Sequence, residues 1–244
     1  METRVDEIAD KIYRLCTLIP GANGAPGFTF NQFLIDADEP LLFHTGMRSL
    51  FASVSAAAGK VIDLKRLRWI TYSHAEADEC GSLNDWLAAA PQATAAQGRF
   101  GCAIWLNDQA LRPPRALADN EVLDLGGKRV RHLSTPHVPH AVDASLLYEE
   151  TTGTLFSSDL FTQLGDSPAL TDKDIIEPAI AAEKAYGFTS LTPKTGPTIR
   201  RLAALAPRTI AVMHGASIAG AGTVPTLEAL AGYYEDQLRQ AMAG

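Results

Sequence analysis

Cysteine is scarce in this sequence. Its 244 residues contain three cysteines, Cys16, Cys80 and Cys102. An odd number excludes a fully paired disulfide framework, and their wide spacing excludes the usual thiolate metal motifs. These absences favour a reducing compartment, so we expect a cytoplasmic protein.

Long apolar runs and basic segments are also missing. No run reaches the roughly 18 residues that a membrane-spanning helix needs, and the N-terminal METRVDEIADKIYRL lacks the regions of a signal peptide. Acidic residues outnumber basic ones, 28 against 21, which gives a formal net charge of -7. Because a nucleic acid or an anionic membrane selects a basic face, neither is expected as a partner.

No internal repeat or low-complexity linker divides the chain, so residues 1–244 are expected to form a single domain. Short apolar or alternating runs predict strands within 9–45 and at 67–74, 101–106, 128–134, 144–150, 153–159 and 209–215. Helical patterns lie at 47–58, 81–90, 174–188, 197–207 and 225–243. Two halves in which helices follow strands predict an α/β layered sandwich, with two sheets covered by helices.

A cluster of metal-capable side chains follows the apolar run LRWIT. The segment TYSHAEADECG places His74, Glu76 and Asp78 at alternate positions. If the chain stayed extended there, all three side chains would point to one side. Carboxylates at close range repel each other, so a cation is the natural partner of such a cluster. A solvated acidic turn is the ordinary alternative for this segment taken alone.

Other metal-capable residues stand in a similar context. WITYSH ends in His74, TLFSSD in Asp159 and TIAVMH in His214, and STPHVPHAVD carries His137 and His140. Ligands in layered α/β proteins gather beyond one end of the strands. A single histidine after a strand is more often a core or loop residue, but the repetition favours one shared metal site.

The order of these residues resembles the di-iron domain of the flavodiiron proteins. The run His74-x-Glu76-x-Asp78 is followed by His140 after 62 positions, by Asp159 after 19 more and by His214 after a further 55. Flavodiiron proteins belong to the metallo-β-lactamase superfamily, so the resemblance implies a four-layer αβ/βα sandwich. A chain of this length also resembles the stand-alone oxygen-binding di-iron proteins.

The resemblance implies a set of metal ligands. In that set His74, Glu76 and His140 hold one iron, Asp78 and His214 hold the other, and Asp159 bridges the two. His140 is preferred over His137 because Asp143, three positions later, matches the second motif of the family. His137 and Asp143 are expected beside the ligands or in the cavity wall, and His137 stays open as the alternative ligand.

The ligand types favour iron. Zinc hydrolases of this superfamily usually have histidine where Glu76 stands, and another histidine where this chain has Glu79. A carboxylate-rich site suits iron or manganese, whereas an imidazole-rich site suits zinc. Two Fe ions are therefore expected, with Zn or Mn as the alternatives. Glu79 is expected just behind the ligands, and an extra ligand or an exposed side chain are its alternatives.

The function that the resemblance implies is the binding or reduction of dioxygen or nitric oxide. The sequence ends at Gly244 and has no glycine-rich phosphate loop, so we expect neither a flavodoxin domain nor a bound flavin. Electrons would come from a separate donor such as a flavoprotein or a rubredoxin-like protein. A hydrolase that uses a metal-bound hydroxide and a non-catalytic oxygen-sensing module are the alternatives. The resemblance also implies a homodimer.

Three further residues are candidates for the wall of the site. The segment FTQLGDSPALT follows Asp159, so Phe161 or Leu164 are candidates for lining the site. Tyr186, in a helical run, is a further candidate. Ordinary core packing is the alternative for all three.

Overall fold

Two seven-stranded sheets form the centre of the molecule. The structure is a computed structural model, and it describes residues 1–243. The first sheet contains β1 Thr3–Ala9, β2 Ile12–Ile19, β3 Phe28–Ile35, β4 Leu41–Phe43, β5 Trp69–Thr71, β6 Thr94–Gly98 and β7 Arg115–Leu117. The second contains β8 Val122–Asp124, β9 Arg129–Ser134, β10 Ser145–Glu149, β11 Thr154–Phe156, β12 Leu170–Thr171, β13 Thr209–Ala211 and β14 Ser217–Ala219.

Each sheet combines an antiparallel meander with parallel strands. The first sheet follows chain order from β1 to β7, is antiparallel as far as β4 and is parallel from β4 to β7. The second has the order β12-β14-β13-β11-β10-β9-β8, and its central neighbours β11 and β13 are parallel. The two sheets therefore share one arrangement, in which the carboxyl ends of the parallel strands lie at the same edge.

Helices cover the outer faces of both sheets. They are α1 Phe51–Ala58, α2 Ala77–Cys80, α3 Leu83–Ala89, α4 Arg99–Gly101, α5 Asn107–Gln109, α6 Ile176–Tyr186, α7 Thr195–Ala203 and α8 Thr223–Ala243. Short 3₁₀ turns occupy Arg48–Leu50 and Leu64–Arg66, and the π-helical Cys102–Leu106 joins α4 to α5. Within residues 1–243, no helix combines the length and the apolar character that crossing a membrane requires.

Three layers of buried side chains separate the four layers of backbone. Phe33 of β3 and Phe156 of β11 meet between the sheets, with their ring centroids 5.5 Å apart. Leu34, the next residue of β3, packs instead on the outer side against α1 and α3. Leu146 and Leu147 of β10 alternate in the same way. Both faces of the central strands are therefore buried, which explains their continuous apolar sequences and confirms the predicted four-layer sandwich.

One predicted strand is wrong. Residues 101–106, GCAIWL, lie in a continuous helical segment that extends over 99–109. Cys102 and Leu106 are buried while Ala103 and Ile104 are exposed, which is the pattern of a helix with one face on the core. A short apolar run does not by itself distinguish a strand from a helix.

The two sheets are joined by hydrogen bonds at the end where β5, β11 and β13 finish. The Ser145 N–H donates to the carbonyl of Ser73, just after β5, at 2.8 Å. The Asn31 side chain of β3 donates to the carbonyl of Val212, just after β13, at 2.8 Å. This edge therefore has a defined geometry in both halves, and the loops that leave it form the candidate site.

Candidate metal centre

The loop after β5 carries three of the predicted ligands. His74 and Glu76 lie in the bend before α2, and Asp78 lies in the first turn of α2. The expected extended run through all three is therefore wrong, because the chain turns into a helix at Ala77. Asp78 is favourably placed there, since a negative charge in the first turn interacts well with the helix dipole. His74 is fully buried, whereas the Glu76 side chain is half exposed.

Three other segments bring the remaining ligands to the same place. His140 lies in the loop between β9 and β10, Asp159 follows β11, and His214 follows β13. Their side chains are 19%, 6% and 10% exposed. All six residues that the sequence indicated as ligands therefore converge, although they come from four separate segments and from both sheets.

The first part of the cluster, here called the His74 half, consists of His74, Glu76 and His140. Nε2 of His140 lies 3.1 Å from Oε1 of Glu76, and Nε2 of His74 lies 3.7 Å from the same oxygen. Oδ2 of Asp159 lies 3.4 Å from Nε2 of His74 and 3.5 Å from Nε2 of His140. Two imidazole nitrogens and two carboxylate oxygens therefore surround one point.

The second part, here called the His214 half, consists of Asp78 and His214. Nε2 of His214 lies 3.3 Å from Oδ2 of Asp78 and 3.4 Å from Oδ1 of Asp159. The two oxygens of Asp159 therefore face different halves. This is the geometry that a carboxylate needs in order to bridge two cations.

The donor atoms are spaced as ligands of one ion would be. Metal bonds of about 2.1 Å at octahedral or tetrahedral angles separate neighbouring ligand atoms by roughly 3.0–3.4 Å. Among residues 1–243, Nε2 of His74 and Oδ1 of Asp159 are also buried without a hydrogen-bond partner. Burying an unpaired polar atom costs about 1–3 kcal/mol. A pair of cations would remove that cost, so these residues fit a dinuclear metal site.

The carboxylates and imidazoles of the cluster shift each other's pKa values. Burial lowers the pKa of the His214 imidazole, but contacts with Asp159 and Asp78 outweigh burial and raise it to about 10. Burial raises the pKa of Asp159, but contact with His214 and the charge of His74 outweigh burial and hold it below its ordinary value. In the metal-free protein a proton on His214 therefore balances part of the negative charge, and a bound metal would displace it.

Two of the imidazoles are oriented by hydrogen bonds at their far nitrogen. Nδ1 of His214 donates to the Thr29 carbonyl at 2.8 Å, which points Nε2 at the cluster, where it carries the proton in the metal-free protein and would bind a metal once that proton is displaced. Nδ1 of His74 lies 2.9 Å from Oγ of Ser73. Histidine ligands in metal sites are usually held in this way.

Asp143 and His137 differ in their placement. Oδ2 of Asp143 accepts a hydrogen bond at 3.1 Å from the N–H of Ala75, between His74 and Glu76, so it supports the loop that carries them. His137 is exposed and belongs to none of the groups of neighbouring donor atoms found in residues 1–243. Its backbone has a φ of 66° in this loop, and its expected place beside the ligands stays a prediction.

A small aromatic cavity of about 180 Å³ opens onto both halves of the cluster. Besides the candidate ligands it is lined by Phe28, Phe30, Phe188 and Thr162. The Phe30 ring meets the His214 ring edge to face, with centroids 4.9 Å apart. The space above the donor atoms is therefore narrow and mostly apolar.

The sequence patterns did not identify this wall. Phe161 is buried in the outer core of the second sheet, and Leu164 borders a different surface cavity, so core packing was the right alternative for Phe161. Tyr186 stacks on Phe188 at 5.3 Å and stays half exposed, one layer behind the cavity. Phe28 and Phe30 are two positions apart on β3, so their side chains lie on the same face of the strand. That alternation was the only local pattern that indicated a shared aromatic wall.

Glu79 is buried between the two halves. It is 1% exposed and follows Asp78 in α2, so the alternative of an exposed side chain is wrong. Burial, together with the charges of Asp159 and Asp78, raises its pKa well above the ordinary value. Its donor atoms adjoin residues of both halves.

Known proteins resemble the chain in sequence. The model of the ODP family beta lactamase matches residues 28–215. The putative diflavin flavoprotein A 1 of Nostoc sp. is 28% identical over 199 residues, which are 78% of this chain and 33% of that protein. The chain therefore spans about a third of the length of that curated relative.

Solved structures resemble the chain in fold. The rubredoxin oxygen:oxidoreductase of Desulfovibrio gigas superposes with a TM-score of 0.82 at 19% identity, over 95% of this chain and 62% of that one. The metal-soaked Flv1 flavodiiron core of Synechocystis sp. gives a TM-score of 0.78 at 21% identity, over 98% of this chain and 61% of that one. The resemblance to flavodiiron proteins that the ligand order indicated is confirmed.

Proposed function

The chain belongs to the ODP family of β-lactamase-fold proteins, and from that premise we propose that it is a non-haem di-iron protein that binds or reduces dioxygen or nitric oxide. The observation that supports this proposal best is the position of Asp159. One of its oxygens lies 3.4 Å from His74 Nε2 and the other lies 3.4 Å from His214 Nε2. A single buried carboxylate between two sets of imidazoles is an arrangement for two metal ions.

In this proposal each half holds one ion. The first ion is bound by His74, Glu76 and His140, the second by Asp78 and His214, and both by Asp159. The carboxylates Glu76, Asp78 and Asp159 equal the imidazoles in number. Compared with the imidazole-rich sites that suit zinc, this mixed donor set favours iron or manganese. When bound, such a metal pair supplies the one-electron chemistry that dioxygen or nitric oxide requires.

The cavity limits the class of ligand. Its volume of about 180 Å³ is below the roughly 300–1,000 Å³ of most pockets for drug-sized ligands. Phe28, Phe30 and Phe188 line it, which favours a small apolar molecule over a polar one. This argues for a diatomic ligand and against the larger ester or phosphodiester of a hydrolase.

Electrons come from a separate protein in this proposal. The similar proteins are named as a diflavin flavoprotein and a rubredoxin oxygen:oxidoreductase, which points to flavin or rubredoxin chemistry as the source. The Glu76 side chain is half exposed, more than that of any other candidate ligand. A donor would approach the cluster from that side.

Metal analysis and spectroscopy test the proposal. Protein purified from iron-supplied cells should contain two iron ions per chain and absorb in the near ultraviolet. Anaerobic reduction should bleach that absorption, and dioxygen or nitric oxide should change it again, at rates that identify the preferred ligand. Colourless protein that contains zinc and cleaves a model ester would show that the redox proposal is wrong and the hydrolase alternative right.

A matched pair of variants makes this test specific to the site. Asp159→Ala should lose metal and absorption together. Asp166→Ala removes an exposed carboxylate that pairs with Arg4 on the surface, and it should keep both.

A further inference from the structure

The Glu79 carboxylate occupies a central position that the six-ligand scheme does not use. Its Oε1 lies 3.9 Å from Nε2 of His74. Donor atoms of Glu79, His74 and Glu76 lie within 4.8 Å of one another, and so do those of Glu79, Asp78 and His214. Glu79 therefore adjoins the His74 half and the His214 half at the same time.

The described side chains around the Glu79 carboxyl group supply no lysine or arginine charge. Within residues 1–243, Oε2 of Glu79 is buried and makes no hydrogen bond, and no lysine or arginine pairs with either oxygen. Its nearest charged neighbours include the carboxylates of Asp159 and Asp78. A buried carboxylate among other carboxylates is strongly unfavourable unless it is protonated or cations lie between them. Because Glu79 adjoins the donor atoms of both halves, bound cations would replace that proton in the metal-loaded site.

We propose that Glu79 is a seventh ligand that contacts both metal ions, as a second carboxylate bridge beside Asp159. This inference rests on the proposed dinuclear function. With Glu79 included, the site holds four carboxylates, Glu76, Asp78, Glu79 and Asp159. Their four negative charges balance two divalent cations, so the reduced metal pair is electrically neutral in a buried site. Oxidation to trivalent ions is also favoured by the extra negative charge.

The alternative is that Glu79 only positions Asp78 through a hydrogen bond. Both roles would weaken metal binding when Glu79 is replaced, because groups behind the ligands commonly change metal affinity by about 10–100-fold. Affinity alone does not separate them. A measurement that reports the coordination of each metal ion is therefore required.

Glu79→Gln is the informative variant, because glutamine has nearly the same shape but lacks the charge. Glu149→Gln is the matched control: Glu149 is also fully buried, but it accepts hydrogen bonds from the N–H groups of Thr151 and Thr152, far from the cluster. Metal-free protein of each kind would be titrated anaerobically with ⁵⁷Fe(II). Metal stoichiometry and Mössbauer spectra would then be recorded.

The wild-type protein and Glu149→Gln should bind two ferrous ions and give the same quadrupole doublets. Glu79→Gln should bind its second ion at least about tenfold more weakly, and at saturation the doublets of both ions should change. If both doublets keep the wild-type parameters, or if one alone changes, the double bridge is disproved. If the wild-type protein itself fails to bind two ions, the proposed function fails instead.

A second variant covers the case in which Glu79→Gln does not fold. Glu79→Ala leaves space that a small carboxylate can enter, so added formate should restore the wild-type doublets of both ions. Formate that leaves the spectrum of Glu79→Ala unchanged would contradict a ligand role.

Discussion

Single hydrogen bonds behind the metal site decide where its imidazole nitrogens point. Ser73 is the centre of such a group: its Oγ lies 2.9 Å from Nδ1 of His74, 3.1 Å from Nε2 of His44 and 2.7 Å from Oγ of Ser158. The remaining nitrogen of His74 is thereby held toward Asp159. The site depends on Ser73, His44 and Ser158, although none of these three residues is itself a candidate ligand.

Replacement of Ser73 tests this support. Ser73→Ala should weaken metal binding by about 10–100-fold without changing the number of ions bound, because His74 remains but is no longer oriented. Competition with a chelator of known affinity measures the change. Ser217→Ala, at another fully buried serine, is the control. An affinity within twofold of the wild type for Ser73→Ala would contradict the orienting role.

His44 gives a prediction about pH. It is fully buried, and burial lowers its pKa to about 3 despite the opposing charge of Asp159. In the unfolded chain its pKa is near the ordinary value of about 6.5. Because the folded pKa is depressed, the stability that neutral His44 contributes is complete above pH 6.5 and is lost as the pH falls toward 3.

The size of this effect follows from proton linkage. Below pH 6, the difference in unfolding free energy between metal-free wild-type protein and His44→Gln should shrink by about 1.4 kcal/mol per pH unit. Urea unfolding at several pH values measures it. A difference that stays constant between pH 7 and pH 4 would show that the pKa of His44 is the same in the folded and the unfolded protein.

At the scale of elements, the ends of strands and helices position the site. β5, β11 and β13 are each three residues long and are followed within three residues by His74, Asp159 and His214. Because all residues of these short strands are buried, the loops that follow them start from fixed positions inside the molecule. The end of α6 has a similar role for the cavity, because Gly187 caps that helix and Phe188 follows it.

Two glycine substitutions should have opposite effects. Gly187 has a left-handed φ of 66°, and a Cβ there would meet nothing within 4 Å, so Gly187→Ala should destabilise by about 1 kcal/mol through backbone strain alone. Gly232 lies within α8 and also has open space around it, so Gly232→Ala should stabilise by about 0.5–1 kcal/mol. Denaturant unfolding of both variants checks the signs, and equal signs would contradict this account.

At the scale of the whole molecule, the two sheets share one core and one cluster of ligands. Phe156 of the second sheet packs between Phe33 and Phe43 of the first, with ring centroids 5.5 and 5.4 Å away. His74 comes from the first sheet, whereas Asp159 and His214 come from the second. Metal bound at this cluster would therefore connect the two sheets, in addition to the apolar core that they share.

Removal of the metal should therefore lower global stability. A ligand present at 100 times its dissociation constant stabilises the folded state by about 2.7 kcal/mol, and 1 kcal/mol changes the Tm by roughly 2–4 °C in a protein of this size. Chelation should lower the Tm by several degrees in calorimetry, and re-addition of Fe(II) should restore it. Asp159→Ala is the control, and an identical metal-dependent change in that variant would place the stabilising metal elsewhere.

The amino-acid order by itself determined the layered architecture and the chemistry of the candidate site. Continuous apolar strands such as those ending before His74 and His214 require burial on both faces, and that requirement produces a helix-covered double sheet. Histidines and carboxylates at those strand ends indicated where metal chemistry would be found. Local pattern was insufficient for GCAIWL, since a short apolar run is compatible with a helix as well as a strand.

Only the tertiary structure decided what surrounds the donor atoms. It separated His140 from His137, buried Glu79 between the two halves and brought Phe28, Phe30 and Phe188 from distant segments to one small cavity. These relations depend on how the two sheets pack, because they join residues that are far apart in the chain. Neighbouring residues contain no information about such distances, so the sequence indicated the ligands while the packing of the sheets determined the site they form.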